Sequence, residues 1–403
     1  MGIYRDLGRN PGVYRILLAQ LTARFPFGML SIIVLLHIQL AYGNYTAAGI
    51  VLAAQSIGQA ISGPLAGRLM GRLGMRPVLL TTSIVCTALL TTLALTQLPL
   101  VVLTPLAFAL GLTTPPVTPA VRTVYPKLVP GKQVSALFSL DASAQEIIWV
   151  IGPVVAVFVS GQLSTVWGLL LAALFMLGGG LWFTYSPEIG RVQIPPARRR
   201  FGAVLAQPTV LIATIGNFFF VASFAALEAG IVAAFGHGGI ESGILLAIFS
   251  VGSILGGLLL GHRAVRRWSM FWRSVIVLVG TALCLLSSDP YWLAAALFVG
   301  GIGVAPFFAA LYSSVSATVK FSETAEAYGW VGTGMLVGVA MGSALAGVAI
   351  DVAGGNGGIA VSALLLVITA VTAAISVPWL PDLRGRDATP IPDTAPIQLP
   401  HQG

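Results

Sequence analysis

Charge is what this sequence lacks. Only 8% of its 403 residues are Asp, Glu, Lys or Arg, about a third of the share in a soluble globular domain. With 57% hydrophobic residues and a mean hydropathy of +0.93, the chain reads as a polytopic membrane protein. Cysteine is nearly absent: Cys86 and Cys284 each sit in an apolar run, where a lone thiol acts as a small hydrophobe, so no disulfide or metal site is expected. Histidine is scarce too, with four residues, of which His237 and His401 fall in a loop and a tail. That leaves no ligand cluster and no nucleophile with its base for a membrane-embedded enzyme. No Gly-x-x-x-x-Gly-Lys-Ser/Thr loop is present, so ATP is not the energy source and no cofactor is expected. The net charge of +8 does not argue for nucleic acid, because the basic residues are spread over short loops rather than clustered on a face. The first twelve residues are short and basic and no A-x-A site follows, which predicts a retained first span rather than a cleaved signal.

What is there is apolar sequence in blocks of about 20 residues, the length that crosses a bilayer core. Twelve such windows fall near residues 13–38, 46–66, 77–97, 99–121, 134–160, 165–186, 208–234, 240–260, 270–288, 290–318, 326–350 and 357–380. With the N-terminus in the cytoplasm, every Lys and Arg but Arg24 lies on or near one side, as the positive-inside rule requires. The expected organisation is a cytoplasmic segment 1–12, a six-helix bundle 13–186, a cytoplasmic linker 187–207, a second six-helix bundle 208–380 and a disordered cytoplasmic tail 381–403. The bundles look related: Gly111 and Pro116 recur as Gly301 and Pro306, Gly152 as Gly342, and Gly67-x-Leu69-x-Gly71 as Gly257-x-Leu259-x-Gly261, always 190 residues on. A constant offset over several segments favours a parallel repeat of six helices.

The stretch GPLAGRLMGRLGMRPVLL after the second span resembles the loop between helices two and three of the major facilitator superfamily. Gly67, Leu69, Arg72, Gly74 and Arg76 meet that pattern, whereas Gly71 stands where the family has Asp and Met75 replaces a basic residue. Independently of the name, these glycines let helix ends approach, and Arg72 and Arg76 can meet helix C-terminal carbonyls or lipid phosphates. Gly152-Pro153 in the fifth span is similar to the motif of that family's antiporters, including the twelve-helix drug:proton antiporters; physically, Pro153 bends the helix and Gly152 admits a neighbour. The resemblance implies an all-α fold of twelve helices in two pseudo-symmetric bundles, both termini cytoplasmic, in a plasma (inner) membrane.

Charges inside spans are tolerated mainly when paired, hydrated or used. Arg24 and Glu146 both lie about 11 residues into outward-running spans, roughly 16 Å deep in a ~30 Å core. They are expected to pair, with Gln20 and Gln145 satisfying the remaining donors and acceptors, so that substrate or a proton could compete for one carboxylate; a permanent ion pair fixing helix packing is the alternative. Asp141 lies about two turns from the cytoplasmic end, where Arg122 or Lys132 could partner it in a structural or gating role. Glu228 could attract cationic substrates or face an external vestibule. Gln20, Phe27, Gln55, Gln59, Gln145, Asn217, Phe220, Tyr312 and Trp330 are candidate cavity residues, although aromatics at helical spacing also serve as packing or interface anchors. His37 could respond to pH. The expected activity is secondary active transport by alternating access. Within it stand proton-coupled export of a small, partly apolar molecule by a monomer, or uptake of a sugar, nucleoside or other metabolite by symport or facilitation. A non-transporting receptor or scaffold is the alternative of another class.

Overall fold

The computed structural model describes residues 2–43, 45–197, 199–235 and 240–393; Arg198, His237, His401 and the end of the tail lie outside them. The described chain is helical throughout, its one β-bridge joining Lys320 to Ile391. In the first half, α1 (Gly2–Arg9) precedes α2 (Val13–Arg24), α3 (Phe27–Tyr42), α4 (Tyr45–Leu73), α5 (Met75–Leu95), α6 (Leu100–Leu112), α7 (Val117–Leu128), α8 (Gly131–Gln162), α9 (Thr165–Tyr185) and the short α10 (Pro187–Arg191). The second half has α11 (Pro208–Phe235), α12 (Ile240–Leu260), α13 (Ser269–Cys284), α14 (Pro290–Gly301), α15 (Val304–Thr318), α16 (Thr324–Ala353) and α17 (Gly355–Ile375). Ten helical segments among the described residues are long and apolar enough to cross a membrane, counting α2–α3, α6–α7 and α14–α15 as continuous segments. Of the remaining long helices, α13 is apolar but has 16 residues, and Gln55, Ser56, Gln59 and Ser62 dilute the hydropathy of α4.

Three segments break near mid-depth, each for a local reason. Pro26 cannot donate to the preceding turn, so the Thr22 carbonyl takes the Phe25 N–H instead and α2 stops at Arg24. Pro115 and Pro116 separate α6 from α7, and Gly303 separates α14 from α15. The 190-residue offset is visible in the packing. Gly111 abuts the Gln55 carbonyl and Gly301 the Phe249 carbonyl, at the α4–α6 and α12–α14 crossings. Gly67 lies on the Ala325 carbonyl of α16, and its counterpart Gly257 lies against Ser139 and Ser143 of α8. Both of these join one half to the other.

Contacts between the halves gather at mid-depth and toward the face that carries α1 and residues 381–393, called here the terminus face. Gly63 and Gly329 bring the α4 and α16 backbones together, and Thr333 donates to the Ala60 carbonyl at 2.5 Å. Tyr4 and Ser139 both donate to the Gly257 carbonyl, at 2.6 and 2.9 Å, and Ser313 donates to Ser135 at 2.9 Å. Toward the opposite face the buried residues of α16 give way to exposed Val339, Leu345, Val348 and Val352, and those of α8 to Val154, Val157 and Phe158. The first part of the tail departs from the expected disorder. Ile391 N–H donates to Val319 and its carbonyl accepts from Phe321, while the Asp393 carboxylate accepts from the Ser322 N–H and hydroxyl. Leu380, Leu383 and Ala388 are buried, so this stretch does have apolar surface to cover.

Gly152 is fixed by the α3–α8 crossing: an added Cβ there would come within 2.8 Å of the Gly28 backbone, whereas one at Gly161 on the same helix would meet nothing. Gly152→Ala should therefore destabilise the purified protein by about 1–3 kcal/mol through overpacking. Gly161→Ala should be neutral or stabilising by up to ~1 kcal/mol. Thermal unfolding of the two variants checks this; equal melting temperatures would contradict the crossing.

Candidate functional site

Among the described residues the most deeply buried charge is Asp141, fully buried on α8. Burying a carboxylate is tolerable only where charge and hydrogen bonds answer it, and here two guanidiniums do. Arg24 Nη1 lies 3.5 Å from Oδ1 and Arg122 Nε 3.6 Å from Oδ2. Gln20 and Tyr125 donate to Oδ1 at 3.1 and 3.0 Å, and Gln145 donates to Oδ2 at 3.1 Å. Gln20 Oε1 accepts from Arg24 Nη1 at 2.8 Å, and Gln145 Oε1 accepts from Arg24 Nη2, so the two amides carry the charge of one partner to the other. The break after α2 leaves Arg24 at a helix end, facing α8. Arg122 lies over the Tyr312 ring, 3.5 Å from its centroid, a cation–π contact from the other half.

The expected Arg24–Glu146 pair is therefore not made. Depth was matched, but Glu146 follows Asp141 by five residues, about 140° around the helix. Gln145, four residues from Asp141, shares its face; Glu146 looks at α12. There Ser250 donates to Oε2 at 3.0 Å and Ser253 to Oε1 at 2.8 Å. No Lys or Arg comes within 4 Å of this carboxylate among the described residues. Glu146 is thus a half-buried acid, at mid-depth, held between the halves by hydroxyls alone.

The candidate cavity residues divide. Gln20, Gln145 and Tyr312 belong to the Asp141 cluster. Asn217 is buried and donates to the Val331 carbonyl at 2.9 Å, and Phe220 stacks on Phe307 with centroids 3.7 Å apart; both pack the interior of the second half. Phe27, Gln55 and Gln59 are half-buried and Glu228 is exposed. Trp330 is a correction: it packs on Phe201 of the linker, centroids 5.7 Å apart, at the closed terminus face rather than in a central cavity. His37 shares a hydrogen bond with the Thr165 hydroxyl at 2.9 Å.

In the motif-like loop, Gly74 ends α4 with φ 91°, a conformation suited to glycine. Leu69 packs against the core and Gly71 passes the linker carbonyl of Pro195 at 3.2 Å from an added Cβ. Arg76 donates to the Thr184 carbonyl near the end of α9 at 3.3 Å, while Arg72 is exposed. Beside Gly67, Arg68 also joins the halves, pairing with Glu326 of α16 at 3.1 Å. Glu326 also accepts the Gly202 N–H at 2.7 Å, and Arg199 lies 3.6 Å from Glu323. Sequence reasoning missed Arg68, Glu323, Glu326, Ser250 and Ser253. Carboxylates at 323 and 326 on the basic side were an available signal; two serines in an apolar helix were a weak one.

Two helical halves related by a constant repeat, closed together at one face and holding charged groups at their interface, define a membrane carrier. The chain belongs to the Major Facilitator Superfamily, whose family model matches residues 16–262 and 210–399. It is a transporter family, not an enzyme family. An uncharacterized MFS-type transporter, y4rN of Sinorhizobium fredii, is 26% identical over 279 residues, 64% of this chain and 68% of the relative. Among solved structures, the human organic anion transporter MFSD10 (TETRAN) superposes with a TM-score of 0.69 at 14% identity over 90% of this chain and 98% of that one. The E. coli fucose:proton symporter FucP gives 0.67 at 16% over 91% and 99%. A bacterial homologue of the iron transporter ferroportin, in an outward-facing state, gives 0.66 at 14% over 90% and 98%. At these identities the likeness is one of fold.

Removing the charge of Asp141 leaves two buried guanidiniums with no counter-ion. Asp141→Asn should destabilise the protein by about 3–5 kcal/mol, and adding Arg24→Gln should recover part of that loss. A double-mutant cycle by thermal unfolding reads the coupling; additive single effects would remove the ion pair from the account.

Proposed function

We propose that this protein is a secondary active transporter that works by alternating access, couples to protons and exports a small, partly apolar molecule. In this reading it is a monomer of twelve spans in the plasma (inner) membrane with both termini cytoplasmic. The basic side then coincides with the closed terminus face, and the conformation is outward-open. Glu146 carries the reading: an acid at mid-depth whose only hydrogen-bond partners among the described residues are two hydroxyls of the other half. Asp141 is already committed to Arg24 and Arg122; Glu146 is free to exchange its charge.

Hydrogen bonds to a charged group contribute about 1.5–3 kcal/mol each. A proton arriving through the open face cancels the charge that Ser250 and Ser253 answer. Losing one such bond shifts a two-state equilibrium by roughly ten- to a hundredfold. Protonation thus loosens the α8–α12 crossing and favours the state open to the cytoplasm, where the proton leaves and substrate enters. Return of the ionised, substrate-loaded carrier completes antiport. The Gly152-Pro153 resemblance supports export over symport, and the direction of proton flux on adding substrate separates them.

In proteoliposomes, Glu146→Gln should abolish uptake driven by a pH gradient and retain substrate exchange without one; undiminished coupling removes Glu146 from the mechanism. Ser135 and Ser313, 2.9 Å apart across the halves, provide a test of rocking. The Ser135→Cys, Ser313→Cys double variant should lose transport under oxidant and regain it with reductant, and unchanged transport in the crosslinked protein would contradict alternating access.

A further inference from the structure

On the terminus face, the docked tail meets the loop between α12 and α13 in a cleft of about 520 Å³ lined by Arg267, Pro381, Asp382, Arg384 and Arg386. The cleft is built from two segments far apart in sequence. The Leu383 N–H donates to the Val265 carbonyl at 2.9 Å, and Leu383 and Val265 are both buried. Between Arg384 and Arg386 the chain reverses at Gly385, φ 72°, a conformation that favours glycine, so both arginines can line the same cleft.

Three guanidiniums face one carboxylate there, and that carboxylate is occupied. Arg384 donates to Asp382 through Nε at 3.1 Å, Nη2 at 2.7 Å and its backbone N–H at 3.0 Å. These hydrogen bonds pull the Asp382 carboxyl down to about 2, so at neutral pH it is ionised and committed to Arg384. Arg267 and Arg386 have no carboxylate within 4 Å among the described residues. The cleft is therefore an open cationic seat with a net charge of about +2, a fit for an anion with several oxygens.

Its position selects the source of that anion. Trp268 and Trp272 flank the loop arm of the cleft and Trp379 its tail arm, exposed by 47, 61 and 55%. Exposed tryptophans at the ends of membrane helices sit at headgroup level, and basic residues in that plane attract anionic lipid. We infer that Arg267, Arg384 and Arg386 form a binding site for the phosphate-bearing headgroup of an anionic phospholipid, assembled when the tail docks on the α12–α13 loop. The site is independent of the transport reading, because lipid occupancy is measured without substrate.

The test is titration of purified full-length protein with phosphatidylglycerol, phosphatidylcholine or inorganic phosphate, bound lipid being counted by native mass spectrometry. Saturable phosphatidylglycerol binding is expected, with little phosphatidylcholine retained. The Arg267→Gln, Arg386→Gln double variant should bind phosphatidylglycerol about thirtyfold more weakly, roughly 2 kcal/mol for two juxtamembrane arginines. Arg200→Gln, which removes an exposed charge elsewhere on the same face, should leave binding unchanged. Matching melting temperatures exclude unfolding as the cause. Equal weakening in the Arg200 variant, no weakening in the double variant, or displacement of the lipid by millimolar inorganic phosphate would each overturn the assignment.

Discussion

A buried carboxylate that must be answered by charge organises the first half of this carrier. Asp141 draws Arg24 from the end of α2, Arg122 from α7 and the amides of Gln20 and Gln145 into one network. The break of the first span at Pro26 leaves Arg24 at the end of α2, from which it reaches α8, while Arg122 reaches Asp141 from the middle of α7. Once Asp141 and Gln145 are committed to that side, the geometry of a helix turns Glu146 toward α12. The division of labour between the two acids, one fixed by cations and one held by hydroxyls, follows from their places on the same helix.

The second half repeats the scaffold without repeating the charges. Residues 190 apart from Arg24, Arg122 and Asp141 are Thr214, Tyr312 and Val331. Yet Tyr312 is the residue on which Arg122 lies, and Phe138 packs against Tyr328, also 190 residues on, with the rings tilted by 60° and centroids 6.2 Å apart. Quasi-equivalent residues that touch one another lie next to the axis relating the two halves. The cluster is therefore central as well as buried, and the second half answers a guanidinium with an aromatic face instead of an acid. The rocking proposed for the halves would slide this contact, which dispersion and cation–π attraction permit more readily than a bidentate ion pair.

Depth was legible in the sequence and direction was not. Apolar block lengths and the 190-residue offset carried the helical halves, the resemblance of the loop from Gly67 to Arg76 carried the superfamily, and residue counting put Arg24, Asp141 and Glu146 near one another along their helices. What counting along a span omits is azimuth, so Arg24 was assigned to the neighbouring acid. Trp330 was misplaced for a similar reason: its half of α16 faces the linker at Phe201, which an apolar pattern cannot reveal. The tail's polar composition hid the few apolar residues, Leu383 and Ala388, that anchor it together with backbone hydrogen bonds. The pairing of Arg68 with Glu326 depends on how two halves meet, so the carboxylates at 323 and 326 could mark themselves on the basic side but not name their partner.

The central claim is that ionised Glu146 holds α8 to α12 and that a proton releases them. Gly161 near the far end of α8 and Gly243 in the first turn of α12 have open space where a side chain would begin, so spin labels fit there. Pulsed electron–electron resonance between them should give a long distance at alkaline pH and a growing short population as pH falls and the opposite face closes. Glu146→Gln should give the short population at both pH values. An unchanged distribution across pH in the native protein, or the same pH response in the variant, would contradict the account.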